Sequence, residues 1–120
     1  MIKIFKTVAA GGTLYIPAPC KGVVKNVYCV WQTTVTTSNV CTTSRSSTTV
    51  NVVTAVTTAG LVVETGVPDT TNGQLIFDPA STTATNQVIK VVLSGGNSVA
   101  AEIIIEYDDS AYVTNAPTEA

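Results

Sequence analysis

The feature that most limits the fold of this chain is a series of short β-branched segments along its whole length. Threonine and valine dominate these segments, and such residues lose side-chain freedom in helices but pack well on a pleated sheet. Turn residues separate the segments, notably at Gly11-Gly12, Asn72-Gly73 and Gly95-Gly96. No stretch of helical periodicity competes with them. The sequence therefore predicts an all-β protein of about eight short strands.

The chain length and the unequal lengths of the predicted strands limit the possible architectures. A chain of 120 residues fits one domain with one core. Unequal strands and a long central loop favour a single jelly-roll-like or Greek-key β-sandwich over an up-and-down barrel, whose strands should be even. We expect the sandwich domain to cover residues 1–109 and residues 110–120 to form an extended C-terminal arm.

Several strands follow from local patterns. Residues 2–8 alternate as a first strand, residues 22–35 form the longest segment and have two apolar faces, and residues 74–77 form a short strand. Residues 87–93 and 99–107 flank Gly95-Gly96-Asn97 and are predicted to form a hairpin. In its second strand one face points to the core, namely Val99, Ala101, Ile103, Ile105 and Tyr107.

A polar tract occupies residues 36–49 and reads TTSNVCTTSRSSTT, with Arg45 inside it. Its apolar content is too low for a core strand, so the tract is predicted to be a long loop. Long loops in compact domains are often functional, which makes this one the first candidate for a contact surface. A plain solvated loop is the alternative interpretation.

Charge and composition bear on the partner and the compartment. Charged residues make up only 12% of the chain, and the formal net charge is −2, with the basic residues scattered. Nucleic acid is therefore not an expected partner. The N-terminus lacks the apolar stretch of a signal peptide, and no run is long enough to span a bilayer, so we expect synthesis in a cytoplasm and no membrane partner. Cys20, Cys29 and Cys41 are then expected to be thiols, with a Cys29–Cys41 disulfide as the alternative.

Catalysis is not expected, nor is a cofactor or a metal. The chain has no histidine, which removes the usual hydrolytic triads and the commonest general base. Glu102 and Glu106 are predicted to face outward on an edge strand, and Asp69 and Asp78 are explained by turns beside proline. Cysteine spacings match no metal template. The alternative is a small glycosidase, which would need a pair of carboxylates. The acidic residues available for such a pair are Asp69, Asp78, Glu102, Glu106, Asp108 and Asp109.

Three stretches resemble small capsid-decoration (cement) proteins of tailed bacteriophages: GGTLYIPAPCKGVVKNVYCVW, NGQLIFDPAST and NQVIKVVLSGGNSVAAEIIIEY. The resemblance is one of overall pattern and covers most of the chain. It implies a jelly-roll-like domain on the outside of an icosahedral virion, commonly a homotrimer, that bridges subunits of the major capsid protein. It also implies a structural protein without catalytic residues or cofactors.

Contact residues are inferred from position and partly apolar character. The N-terminal strand contributes Ile2, Ile4 and Lys6, and the C-terminal arm contributes Tyr112, Val113 and Pro117. Arg45 lies in the polar tract. Trp31, beside that tract, is interpreted either as a core anchor or as an interface residue. The alternative function is a carbohydrate-binding or adhesin-type β-sandwich, in which Trp31 or Tyr112 would stack on a sugar.

Overall fold

The computed structural model describes residues 1–55, 60–95 and 99–110. Nine strands lie in these ranges: β1 (Ile2–Val8), β2 (Thr13–Pro17), β3 (Val23–Trp31), β4 (Asn39–Arg45), β5 (Thr48–Ala55), β6 (Val63–Thr65), β7 (Val67–Pro68), β8 (Val88–Gly95) and β9 (Ala101–Asp108). A 3-10 turn, Ala84–Gln87, leads into β8.

The strands form two antiparallel sheets that pack face to face. One sheet has the order β1-β9-β3-β6 and the other the order β2-β8-β4-β5-β7. The short β7 is an edge addition, and the remaining eight strands have the order produced when two Greek keys form a jelly roll. The prediction of an all-β jelly-roll sandwich is therefore confirmed.

One apolar core fills the space between the sheets. The inward residues of β9 and its lead-in are those predicted, and all five are buried: Val99, Ala101, Ile103, Ile105 and Tyr107. They meet Ile89, Val91 and Leu93 of the opposite sheet within the same cluster. Because alternate residues of a strand point to opposite faces, this set follows directly from the period of two in the sequence.

The strand in residues 22–35 is shorter than predicted, and an irregularity near its start explains why two consecutive residues there are buried. β3 ends at Trp31, and its register with β9 shifts between Val24 and Asn26. Such a bulge changes which residues point inward, so the neighbours Val23 and Val24 are both buried.

The prediction that residues 36–49 form a loop is wrong. Residues 39–45 are β4, an interior strand paired with both β5 and β8, and Ser46-Ser47 make a tight turn into β5. A strand in a sandwich needs apolar residues only at alternate positions, and Cys41 and Thr43 fill the inward ones. Threonine suits a strand as a β-branched residue, so the polar composition was misleading.

The predicted hairpin of residues 87–107 is also wrong. β8 lies between β2 and β4 in one sheet, whereas β9 lies between β1 and β3 in the other. The chain therefore crosses between sheets after Gly95. β9 is an interior strand, so Glu102 and Glu106 do not lie at an edge.

The third error concerns residues 74–77, which are part of a long connection rather than a strand. Phe77 inserts a fully buried ring and forms an isolated bridge with Gly22, through N···O distances of 2.8 and 3.0 Å. The hydroxyl of Tyr107 donates to the main-chain oxygen of Cys20 at 2.6 Å and lies 3.3 Å from that of Phe77. These contacts fix the connection against the open end of the sandwich.

Candidate binding surfaces

Three predicted contact residues lie on β1, and two of them point inward. Ile2 and Ile4 are partly buried and pack against the core, whereas Lys6 is exposed. The outward apolar residue of this strand is Phe5, which is 65% exposed. Phe5 is therefore the apolar side chain that β1 exposes most, and the assignment of Ile2, Ile4 and Lys6 as contact residues stays a prediction.

The other predicted contact residues differ in burial, and three of them lie outside the described residues. Trp31 is 1% exposed, so it is the core anchor of β3 and has no surface for a partner or a sugar. Arg45 is half-buried, and its Nη1 donates to the main-chain oxygen of Ile76 at 2.8 Å, which ties β4 to the long connection. Tyr112, Val113 and Pro117 lie outside the described residues.

The outer side of the four-stranded sheet carries an apolar surface, the Phe5 face, formed by Phe5, Tyr28, Val30, Val63 and Ile104. Phe5 is paired with Ile104 and Ile104 with Tyr28, while Val30 is paired with Val63. Side chains opposite one another on neighbouring strands contact directly. Phe5 and Val63 are exposed and the other three are half-buried, so the five residues form one continuous surface.

A carboxylate network borders the Phe5 face at one end. Glu106 Oε1 accepts from Asn26 Nδ2 at 2.8 Å and from the Tyr28 hydroxyl at 3.1 Å, and Lys3 Nζ lies 3.9 Å from Glu106 Oε2. The hydrogen bond from Asn26 lowers the pKa of Glu106, and Tyr28 and Lys3 add to this against a smaller opposing effect of burial. The hydrogen bond that the Tyr28 hydroxyl donates to Glu106 raises the pKa of Tyr28. The network holds a negative charge at a fixed place beside the apolar surface.

The outer side of the five-stranded sheet has a different feature, the Tyr15 groove, formed by Tyr15, Ser46, Ser47, Thr85, Val88 and Lys90. Its volume is about 480 Å³. Tyr15 is directly opposite Lys90 in the pairing of β2 with β8. Their neighbours Ile16, Ile89 and Val91 are buried, so both side chains point outward.

Main-chain hydrogen bonds hold the 3-10 turn that forms one wall of the groove. Ala18 N donates to Gln87 O at 2.9 Å, and Asp78 N donates to Asn86 O at 2.8 Å. Gln87 Nε2 also donates to the main-chain oxygen of Ser81 at 2.7 Å. This wall is therefore fixed to β2 and to the long connection before any ligand arrives.

All three cysteines are free thiols. Cys29 and Cys41 are fully buried on strands of opposite sheets. A hydrogen bond with the Cys41 thiol, together with burial, raises the pKa of Cys29 far above its usual range. Partial burial and the nearby Asp109 carboxylate raise the pKa of Cys20. These environments keep the Cys20 and Cys29 thiols in the protonated, less reactive form.

The acidic residues of the turns have structural partners. Asp69 Oδ2 accepts from the main-chain nitrogens of Thr71 and Asn72 at 3.0 and 2.7 Å, and Asp78 Oδ1 accepts from that of Ala80 at 2.9 Å. These contacts agree with the turn roles predicted beside proline. Over residues 1–55, 60–95 and 99–110, no three metal-ligating side chains lie close enough to hold an ion. The same ranges contain no helix of the length and apolar character needed to cross a membrane.

Comparison with known proteins gives no match to a family model, to a curated protein or to a solved structure. The geometry of the two outer surfaces therefore has to support any functional conclusion. The sequence analysis missed Phe5, Tyr15 and Lys90 as surface residues. A signal existed, because Tyr15 and Lys90 each stand between inward apolar neighbours and Phe5 follows the inward Ile4 in an alternating segment.

Proposed function

We propose that the chain is a structural protein of a virus particle that binds the outer surface of an icosahedral phage capsid. In this role it stabilises contacts between subunits of the major capsid protein, and it acts as a homo-oligomer, with a trimer favoured. The observation that carries the proposal is the Phe5 face. A continuous apolar surface on a domain of this size marks a site of interaction with another protein.

The fold and the composition support this proposal. Jelly rolls occur in viral capsid proteins and in lectins, so the fold admits the function without requiring it. With 12% charged residues, copies packed closely on a particle would repel one another weakly. Hydroxyl and amide side chains can also satisfy hydrogen bonds at a wet interface.

The chemistry of the Phe5 face fits a partner with its own apolar surface. Phe5 lies at the exposed edge strand β1 and Val63 at the opposite edge, so an apolar strip crosses the sheet. Leu61, which precedes β6 in the chain, is a further exposed apolar residue and is 72% exposed. Phe5 is the largest exposed apolar side chain of the strip, and burial of an aromatic side chain removes a large apolar area from water, which makes Phe5 the principal contact in this proposal.

The test combines mass measurement with particle binding. Light scattering should give the mass of a trimer, and the protein should co-sediment with phage particles that lack it. Phe5→Ser should weaken particle binding about tenfold or more, since it removes a large apolar contact. Deletion of residues 111–120 tests separately whether the arm contributes to assembly.

The control is Val67→Ser, which removes a similarly exposed apolar residue from the five-stranded sheet. Both variants should keep the wild-type unfolding midpoint, because both side chains are exposed. A monomer that ignores the particles would reject the proposal. Equal loss of binding in the two variants would remove the Phe5 face as the contact.

A further inference from the structure

We infer that the Tyr15 groove binds a saccharide that carries a carboxylate group. This site lies on the five-stranded sheet and is separate from the Phe5 face on the four-stranded sheet, so it adds a second binding activity to the molecule. Four features of the groove support the inference: an exposed ring, an uncompensated positive charge, a set of hydroxyl groups, and walls that are already in place.

The ring belongs to Tyr15, which is 64% exposed and stands on the edge strand β2. A flat aromatic face next to a groove offers a surface on which the apolar side of a pyranose ring can lie. Val88 on the neighbouring strand extends this apolar surface. The previously considered sugar-stacking residue Trp31 is buried, so Tyr15 takes that role.

The charge is provided by Lys90, directly opposite Tyr15 in the sheet. Among the described residues that line the groove there is no acidic side chain, so the ammonium group is not neutralised there. An unneutralised cation beside an aromatic ring favours a ligand with both a negative charge and an apolar face. A uronic acid or another sugar acid meets both conditions, because its carboxylate can accept a hydrogen bond from Lys90 Nζ.

The hydroxyl groups come from Ser46, Ser47 and Thr85 on the two walls. Each can both donate and accept a hydrogen bond, as the hydroxyl groups of a sugar require. Ser46 has a φ of 57°, a conformation that favours glycine. The two-residue turn between β4 and β5 requires this conformation, and it fixes the positions of Ser46 and Ser47 at the wall of the groove.

The size and rigidity of the groove are compatible with a short oligosaccharide. Its volume of about 480 Å³ is in the range of small-molecule sites, roughly 300 to 1,000 Å³. The β4–β5 turn forms one wall, held by a 3.1 Å hydrogen bond from Ser44 Oγ to the main-chain oxygen of Ser46. The 3-10 turn forms the other. Little ordering of the protein would therefore oppose binding.

The experiment is a titration of the isotope-labelled protein, followed by NMR, with three probes of similar length. These are tetragalacturonate, the neutral maltotetraose, and a tetraglutamate peptide. We expect tetragalacturonate to bind with a Kd of about 1 mM or lower and to shift amide signals around Tyr15, Ser46 and Lys90. Maltotetraose should bind more weakly, and tetraglutamate should not bind measurably, since it has charge without a sugar ring.

Variants assign the interaction to residues. Tyr15→Ala should weaken tetragalacturonate binding about tenfold, and Lys90→Gln should weaken it by a similar factor while leaving maltotetraose unaffected. Phe5→Ala is the matched control, an equally exposed aromatic residue on the opposite sheet, and it should bind as the wild type does.

Three outcomes would overturn the inference. The first is no binding of tetragalacturonate by the wild type at about ten times the expected Kd. The second is tetraglutamate binding as tightly as tetragalacturonate, which would indicate an acidic peptide as the ligand. The third is an equal loss in Phe5→Ala and Tyr15→Ala, which would mean that the groove is not the site.

Discussion

The two sheets of the sandwich bury their inner faces with different chemistry. The four-stranded sheet contributes large apolar side chains, among them Trp31, Ile103 and Ile105. Within the described ranges, every buried polar side chain belongs to the five-stranded sheet: Asn39, Thr43, Ser44 and Asn51. Atoms of Asn39, Thr43 and Asn51 have no hydrogen-bond partner in the described structure.

The unpartnered polar side chains affect how much the five-stranded sheet contributes to stability. A buried polar group without a partner costs about 1 to 3 kcal/mol relative to an apolar one. The five-stranded sheet therefore weakens the core on its inner side, while its outer side carries the Tyr15 groove. We expect that truncating a large apolar side chain on the four-stranded sheet and replacing an unpartnered polar side chain on the five-stranded sheet should change stability in opposite directions.

Trp31→Ala should give the largest effect on the four-stranded side. Trp31 is the largest fully buried side chain, and removing it leaves a cavity as well as losing apolar burial. We expect a loss of about 3 to 5 kcal/mol in the free energy of unfolding, measured by urea denaturation. Trp31→Phe, which keeps a ring, should lose less and provides a measurable variant if Trp31→Ala does not fold.

The matched control for Trp31 is Phe5→Ala on the same sheet. Phe5 is exposed, so its removal should change the free energy of unfolding by no more than about 0.5 kcal/mol. A loss for Trp31→Ala as small as that of the control would contradict the assignment of Trp31 to the core.

Thr43→Val tests the five-stranded side. Thr43 is fully buried, and its Oγ1 is among the atoms without a partner in the described structure. Valine has nearly the same shape and lacks the hydroxyl group, so we expect a gain of about 1 kcal/mol in the free energy of unfolding. Thr42→Val, the outward neighbour, should change stability little. Destabilisation by Thr43→Val would show that the hydroxyl has a partner and that the contrast between the sheets is wrong.

The same contrast explains how much of the fold could be predicted from the sequence. β9 was predictable because Glu102 and Glu106 stand between inward apolar residues, which defines both the strand and its buried face even though the outward Ile104 is apolar. β4 was not, because Thr42, Thr43 and Ser44 occupy outward and inward positions alike. When threonine occupies a core position, the polarity of a residue does not indicate whether it is buried. Only the pairing with β5 and β8 then identifies β4 as a strand.

The wrong hairpin has another cause. The glycine pair at residues 95–96 predicts a turn, but a turn signal does not specify whether the next strand pairs with its predecessor or joins the facing sheet. In a jelly roll both outcomes occur, since β4 and β5 pair after a turn while β8 and β9 do not. The choice depends on β1 and β3, which flank β9 and lie far from it in sequence.

The candidate surfaces were predictable only in part. The exposure of Phe5 follows from its position next to the inward Ile4 on an alternating strand. Tyr15 and Lys90 likewise alternate with buried residues, but their contact arises from the pairing of β2 with β8. The Tyr15 groove brings together three separate chain segments, so local patterns could not predict it.

The smallest expected effect is the pH dependence of stability that arises from Glu106 on the outer side of the four-stranded sheet. Asn26, Tyr28 and Lys3 lower the pKa of Glu106 in the folded protein. The unfolded chain therefore binds a proton at Glu106 more readily than the folded chain does. The stabilisation is complete above the ordinary carboxyl pKa of about 4.3, and it is lost as the pH falls through the lower folded value.

Glu106→Gln should therefore make the acid-induced loss of stability less steep, measured as urea midpoints between about pH 6 and pH 2. Some slope should remain, because hydrogen bonds from Ser110 lower the pKa of Asp108. Glu102→Gln is the control on the same strand, and it should retain most of the slope because the Glu106 network is intact. An unchanged slope in Glu106→Gln would mean that this network does not differ between the folded and unfolded states. The polar border of the Phe5 face would then contribute nothing to stability, and its fixed charge would matter only for the choice of partner.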